Sequence, residues 1–149
     1  ALAFCGSAKA PDVRAQEALA VAAKRLAQAV RARNVEKIMT FVAASGVSCV
    51  DSIVSRSEVE HDLKNPDTWL HAYFLDGAAF RKRHADRYFK TSLAEIVAAD
   101  DWAMEVLIDQ APDFPCVHFM RKADQSIRAE ICFTRRQRGW VFSGLPNCL

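Results

Sequence analysis

Apolar residues keep a helical period through the first two-thirds of this chain and change to strict alternation in the last third. Between Asp12 and about Arg33, Val13, Leu19, Ala23, Leu26 and Val30 fall on one face of a helix. From Trp102 the apolar positions are Trp102, Met104, Val106 and Ile108, every second residue, which is one face of a strand. Each half therefore has one apolar face, and each can bury it only against the other. The expectation is a single α+β domain over 12–149, with N-terminal helices packed on a C-terminal antiparallel sheet. At 149 residues the chain has the length of one domain and can bury a core without metal or disulfide staples.

Element boundaries follow from capping and breaking residues. A first helix opens at Asp12 and runs to Arg31 or Arg33. Asn34 punctuates it, and Val35, Ile38, Met39 and Val42 mark a second, ending near Ser45-Gly46. Val47–Val54 reads as one short β-branched strand. Ser55-x-x-Glu58 and Ser57-x-x-Glu60 are overlapping capping boxes for a helix that breaks at Asn65-Pro66. Another helix starts at Asp67 or Thr68 and stops at Asp76-Gly77. Residues 78–90 read as an irregular helical segment, and Ser92-x-x-Glu95 opens a short helix to about Ala99. Strands are expected at 102–109, 115–121, 127–134 and 139–145.

One hairpin register, about Asp124, puts Val117 opposite Ile131 and Phe119 opposite Ala129 on the core side. It also sets Cys116 opposite Cys132, His118 opposite Glu130 and Met120 opposite Arg128. Cys116 and Cys132 are thus either a cross-strand disulfide or two neighbouring thiols. Cys49 and Cys148 are a second candidate pair, which would leave Cys5 over.

Composition excludes more than it selects. Twenty basic side chains face 18 acidic ones, a net charge of +2, so no basic excess argues for nucleic acid. No apolar run approaches the ~20 residues of a transmembrane helix. Cys-x-x-Cys and His-Glu-x-x-His are absent, as are the glycine-rich nucleotide motifs and Gly-x-Ser-x-Gly, so no metal, cofactor or catalytic residue is assigned. In residues 1–11, Ala1-Leu2-Ala3 and Ala8-Lys9-Ala10 carry the small-residue spacing of a secretory leader's end; the alternative is a flexible alanine-rich lead-in. With the cysteines, this spacing favours a periplasmic or secreted location, with a cytoplasmic one as the alternative.

Two groups of residues are candidates for a binding role. The basic stretch Arg81, Lys82, Arg83, His84, Arg87 and Lys90 is either a solvated face or a surface for an acidic protein partner or an anionic cell-surface polymer, and His118 with Glu130 is the best general-base candidate, placed by the register on the sheet's outer side, which suits a partner-facing surface better than a buried pocket. Trp69, Tyr73, Trp102 and Trp140 either line a concave pocket for a small molecule or are plain core.

The order of elements, with the phrase Ala32-Arg33-Asn34-Val35-Glu36-Lys37-Ile38 between the first two helices, resembles the cystatin-like cone fold of the nuclear transport factor 2 superfamily. The resemblance covers most of 12–145. It implies either a noncatalytic binding module, including secretion-system components, or an isomerase or dehydratase with Asp or His in the cone. No Asp or His of this chain matches those catalytic positions. The expected function is therefore a noncatalytic extracytoplasmic module that binds a protein partner, in the manner of an inhibitor or immunity protein. A small-molecule-binding or lyase/isomerase-type enzyme using a cone pocket is the alternative.

Overall fold

A computed structural model describes residues 12–49, 52–87, 89–108, 111–137 and 139–145. Helix α1 (Val13–Arg31) is capped by the Asp12 carboxylate, which accepts from Ala15 N–H. Its alanine-rich inner face, with Leu19, Ala23, Leu26 and Val30, is buried. Asn34 caps α2 (Val35–Thr40) in the same way. That helix ends earlier than the sequence suggests. Phe41 and Ala43 exchange backbone hydrogen bonds with Phe142, pulling the chain out of the helix and onto the sheet.

The expected strand over 47–54 is instead a tight hairpin of two strands, β1 (Val47–Cys49) and β2 (Ser52–Val54), whose turn lies outside the described residues. Of the two overlapping capping boxes only Ser55/Glu58 is used, at the start of α3 (Arg56–Lys64). Asn65 ends α3 ahead of Pro66, and Thr68 caps α4 (Trp69–Leu75). Asp76 closes α4 and its carboxylate caps α5 (Gly77–Arg83), so the basic stretch is a regular helix for its first half. Ser92 caps α6 (Leu93–Val97).

Four strands complete the chain: β3 (Trp102–Leu107), β4 (Cys116–Arg121), β5 (Arg128–Arg136) and β6 (Gly139–Leu145). They form an antiparallel meander, and β1 joins β6 in parallel, giving the order β2-β1-β6-β5-β4-β3. The sheet is curled but not closed. The β4–β5 register is the one the apolar alternation requires, from Cys116↔Cys132 to Met120↔Arg128. Between β5 and β6 the register shifts by one residue near Cys132/Phe133, which brings Phe133 directly opposite Phe142.

The helices cover one face of this sheet, with α1 reaching both β6 and β3 and α6 lying on β4 and β5. Tyr73, Phe74, Phe80, Phe119, Phe133 and Phe142 are fully buried between the two layers. Together they make a continuous aromatic core, in which Phe74 stacks on Phe142 and Phe80 meets both Trp69 and Tyr73 edge-on. No helix among the described residues is long and apolar enough to cross a membrane.

Candidate functional site

Helix α1 ends without a glycine. Arg33 N–H bonds the Val30 carbonyl and Asn34 N–H bonds the Ala29 carbonyl, the reciprocal pair that closes a Schellman motif. This geometry needs a left-handed residue at the position after the cap, and Arg33 supplies it with φ +54, the sole non-glycine at positive φ among the described residues. An L-side chain there costs about 1–2 kcal/mol, which glycine would avoid.

Arg33 borders a cleft of about 660 Å³ between the end of α1, the start of α5, α6 and the end of β4. Its floor is apolar, from Val30, Leu75, Ala78, Ala94 and Ala98. Its polar lining has five cations, Arg31, Arg33, Arg81, Lys82 and Arg121, against two carboxylates, Asp76 and Glu95. Three of the cations are held. Arg31 pairs with Asp100, whose carboxyl this guanidinium keeps below the usual carboxylate range. Arg121 bonds Asp101 Oδ1 at 3.0 Å and the Glu95 carbonyl at 3.2 Å, and Arg81 pairs with Glu95 Oε1. The side chains of Arg33 and Lys82 meet no hydrogen-bond or ion-pair partner among the described residues. Glu95 Oε2 is buried with no partner either, although its other oxygen is paired. The cleft thus offers two unengaged cations, while Glu95 Oε2 is an unpaired acceptor buried in its wall.

The expected partner-binding residues separate into four places. Arg81 lines the cleft, while Arg83 turns to the α3–α4 connection, where it bonds the Pro66 carbonyl at 3.2 Å and pairs with Asp67 at 3.5 Å. Arg87 is exposed in the segment after α5. His118 and Glu130 meet on the opposite face of the sheet, Nε2 to Oε2 at 2.5 Å, with Arg128 and Glu105 flanking the ring at 3.4 and 4.0 Å.

The four residues expected around a pocket do not line one cavity. Trp69 and Tyr73 stack at 4.5 Å between centroids inside the core, and Tyr73 donates its hydroxyl to the Glu130 carbonyl at 3.0 Å. Trp140 is buried beneath Arg135, and Trp102 borders a smaller cleft of about 400 Å³ with Lys24, Arg31 and Asp100.

The sulfurs of Cys116 and Cys132 are joined, across the outer face of the sheet. Cys49 is also half of a disulfide, and the pairing expected for it, with Cys148, lies outside the described residues. The leader-like segment 1–11 lies outside them as well.

Sequence reasoning missed Arg31, Arg33 and Arg121 as members of one site, because they come from elements whose adjacency is set by tertiary packing. A local signal existed at Arg33. A long helix runs straight into the Asn34 cap of the next with no glycine between, so some L-residue has to take the left-handed turn. No family model, no curated protein and no solved structure matches this chain.

Proposed function

We propose that this chain is a noncatalytic binding module that takes an acidic segment of a protein partner into the α1/α5/α6 cleft. The observation that carries the reading is Arg33, a cation kept in a left-handed conformation at a stability cost, beside the cleft and without a partner inside the molecule. The Schellman motif accounts for the left-handed turn itself; what the binding reading accounts for is a cation, rather than glycine, at that position on the wall of the cleft. Lys82 adds a second unengaged charge. The apolar floor would carry the stems and apolar side chains of that segment.

An inhibitor or immunity role toward an enzyme outside the cytoplasm suits a small rigid domain of this kind. The Cys116–Cys132 bond supports an oxidising compartment, periplasmic or secreted. The aromatic core between helices and sheet favours the noncatalytic reading of the cone-like fold over an isomerase or dehydratase, because Tyr73, Phe74, Phe80, Phe119, Phe133 and Phe142 fill the interior where such a pocket would lie.

The test uses an acetylated hexaglutamate peptide as probe, followed by fluorescence anisotropy at low and at physiological salt. Binding should weaken at least tenfold in Arg33→Ala/Lys82→Ala and remain within twofold of wild type in Arg136→Ala, an exposed cation away from the cleft. Equal losses in the two variants, or none in the first, would contradict the reading.

A further inference from the structure

The outer face of the sheet holds a second cluster, which the cleft does not use. Cys116 and His118 project from β4 and Cys132 and Glu130 from β5, and the pairing Cys116↔Cys132 and His118↔Glu130 sets the four side chains on two adjacent rungs of the uncovered face. A carboxylate oxygen of Glu130 and the two sulfurs all lie within 4.8 Å of one another. The carboxylate divides its oxygens, with Oε2 held by His118 Nε2 at 2.5 Å and Oε1 lying 3.8 Å from Cys132 Sγ. Phe114 shields the flank, its ring resting where a Cβ on Gly144 would stand, beside Cys132.

We propose that this cluster is a thiolate metal site, closed as a disulfide when oxidised and able to bind Zn2+ or a similar soft divalent ion when reduced. Cys116, Cys132 and Glu130 are the ligands, and His118 is a positioning residue that aims the carboxylate. Tetrahedral Zn2+ with Zn–S of about 2.3 Å and Zn–O of about 2.0 Å needs ligand atoms about 3.5–3.8 Å apart. The present spread brackets that spacing. Two unbonded thiolates reach it by side-chain rotation, with the strand register unchanged. Thiolates select Zn2+ over Mg2+ or Ca2+, and a ligating carboxylate is itself held by an outer hydrogen bond, here from His118. Three protein ligands leave the fourth position to water. No short motif marks the site, since the cysteines are 16 residues apart; it is the hairpin register that brings them together.

Opening the site requires a dithiol reductant. One of its thiolates attacks a sulfur of the pair, the more exposed Cys116 being the accessible partner, and the other cysteine leaves as a thiolate. The reductant's second thiol then resolves the mixed disulfide. The reductant yields two electrons and ends as a disulfide, and its two protons end on Cys116 and Cys132. Metal binding displaces both protons to solvent.

The experiment treats the full chain with a dithiol, removes the dithiol under anaerobic conditions, and titrates with Co2+ alone. Thiolate-to-cobalt charge-transfer absorption should saturate at one equivalent in the reduced protein, with two protons released per metal. It should be absent from the oxidised protein and from reduced Cys116→Ser/Cys132→Ser. Glu130→Gln should weaken binding at least tenfold. His118→Leu should weaken it about tenfold, while His118→Gln, which keeps a donor, should restore most of the affinity.

Because the serine variant could fail to fold, a second measurement uses the wild type only. Equimolar Zn2+ should protect Cys116 and Cys132 of the reduced protein from alkylation, read peptide by peptide by mass spectrometry, and leave the labelling of the other cysteines unchanged. Absent absorption in the reduced wild type, an equal signal in the serine variant, or equal labelling of Cys116 and Cys132 with and without Zn2+ would overturn the proposal.

Discussion

Gly46 sits at φ +89 where the chain turns from α2 into β1, and a Cβ there would collide with the Val54 carbonyl oxygen of the neighbouring strand. Gly139 has a similarly positive φ of +121 at the start of β6, but a Cβ there would meet nothing within 4 Å. The two positions separate backbone strain from steric exclusion. Gly139→Ala should cost about 1–2 kcal/mol, from conformation alone. Gly46→Ala should cost clearly more, because the obstructing atom belongs to a paired strand and cannot swing away; urea unfolding of both variants measures the difference. Tyr73 shows a different constraint. Burial pushes its phenol far above the ordinary value of 10.0. The neutral phenol is therefore favoured in the folded state, and its contribution is complete below about pH 10 and lost as pH rises beyond it. Tyr73→Phe, which removes the bond to the Glu130 carbonyl, should lower stability by about 1 kcal/mol at pH 7. Above pH 10 its stability should fall less steeply than that of the wild type.

Elements differ in how firmly local signals set them. Asn34 holds the α1–α2 junction by accepting from Lys37 N–H, so Asn34→Ala should cost about 1 kcal/mol, read as a shift in the urea midpoint without a change in slope. In the β4–β5 pair, Phe119 and Ile131 are fully buried, and Phe119→Ala should cost about 3–5 kcal/mol in the same assay. That register was legible in the sequence because a slip of one residue would expose Val117, Phe119, Ala129 and Ile131 together. Capping residues were equally legible: Asp12, Asn34, Ser55, Thr68 and Ser92 each bond an N-terminal amide within a few residues. Pairings across long separations were not. Phe41 and Ala43 leave their helix to bond Phe142, and β1 lies parallel to β6, about a hundred residues away, with no local pattern to announce either. The site was legible in the same uneven way. His118 and Glu130 followed from register, whereas the cleft gathers Arg33, Lys82, Glu95 and Arg121 from four elements that only the packed helices bring together.

At the scale of the whole molecule, the two faces of one curled sheet carry separate candidate sites. The covered face holds an aromatic core and, at its edge by α1, α5 and α6, the cationic cleft proposed to receive an acidic partner. The uncovered face holds the cysteine, glutamate and histidine cluster. Most charges near the cleft are balanced within the fold, and such exposed pairs contribute little to stability. Arg33 and Lys82 are the exceptions, and of the two Arg33 alone also has a strained backbone. If a binding function maintains that arrangement, stability and affinity must move in opposite directions when it is relieved. The decisive measurement is therefore chemical denaturation of Arg33→Gly together with titration of the acetylated hexaglutamate probe. The account predicts a variant more stable by about 1 kcal/mol that binds the probe several-fold more weakly. A variant that is stabilised with undiminished binding would contradict it.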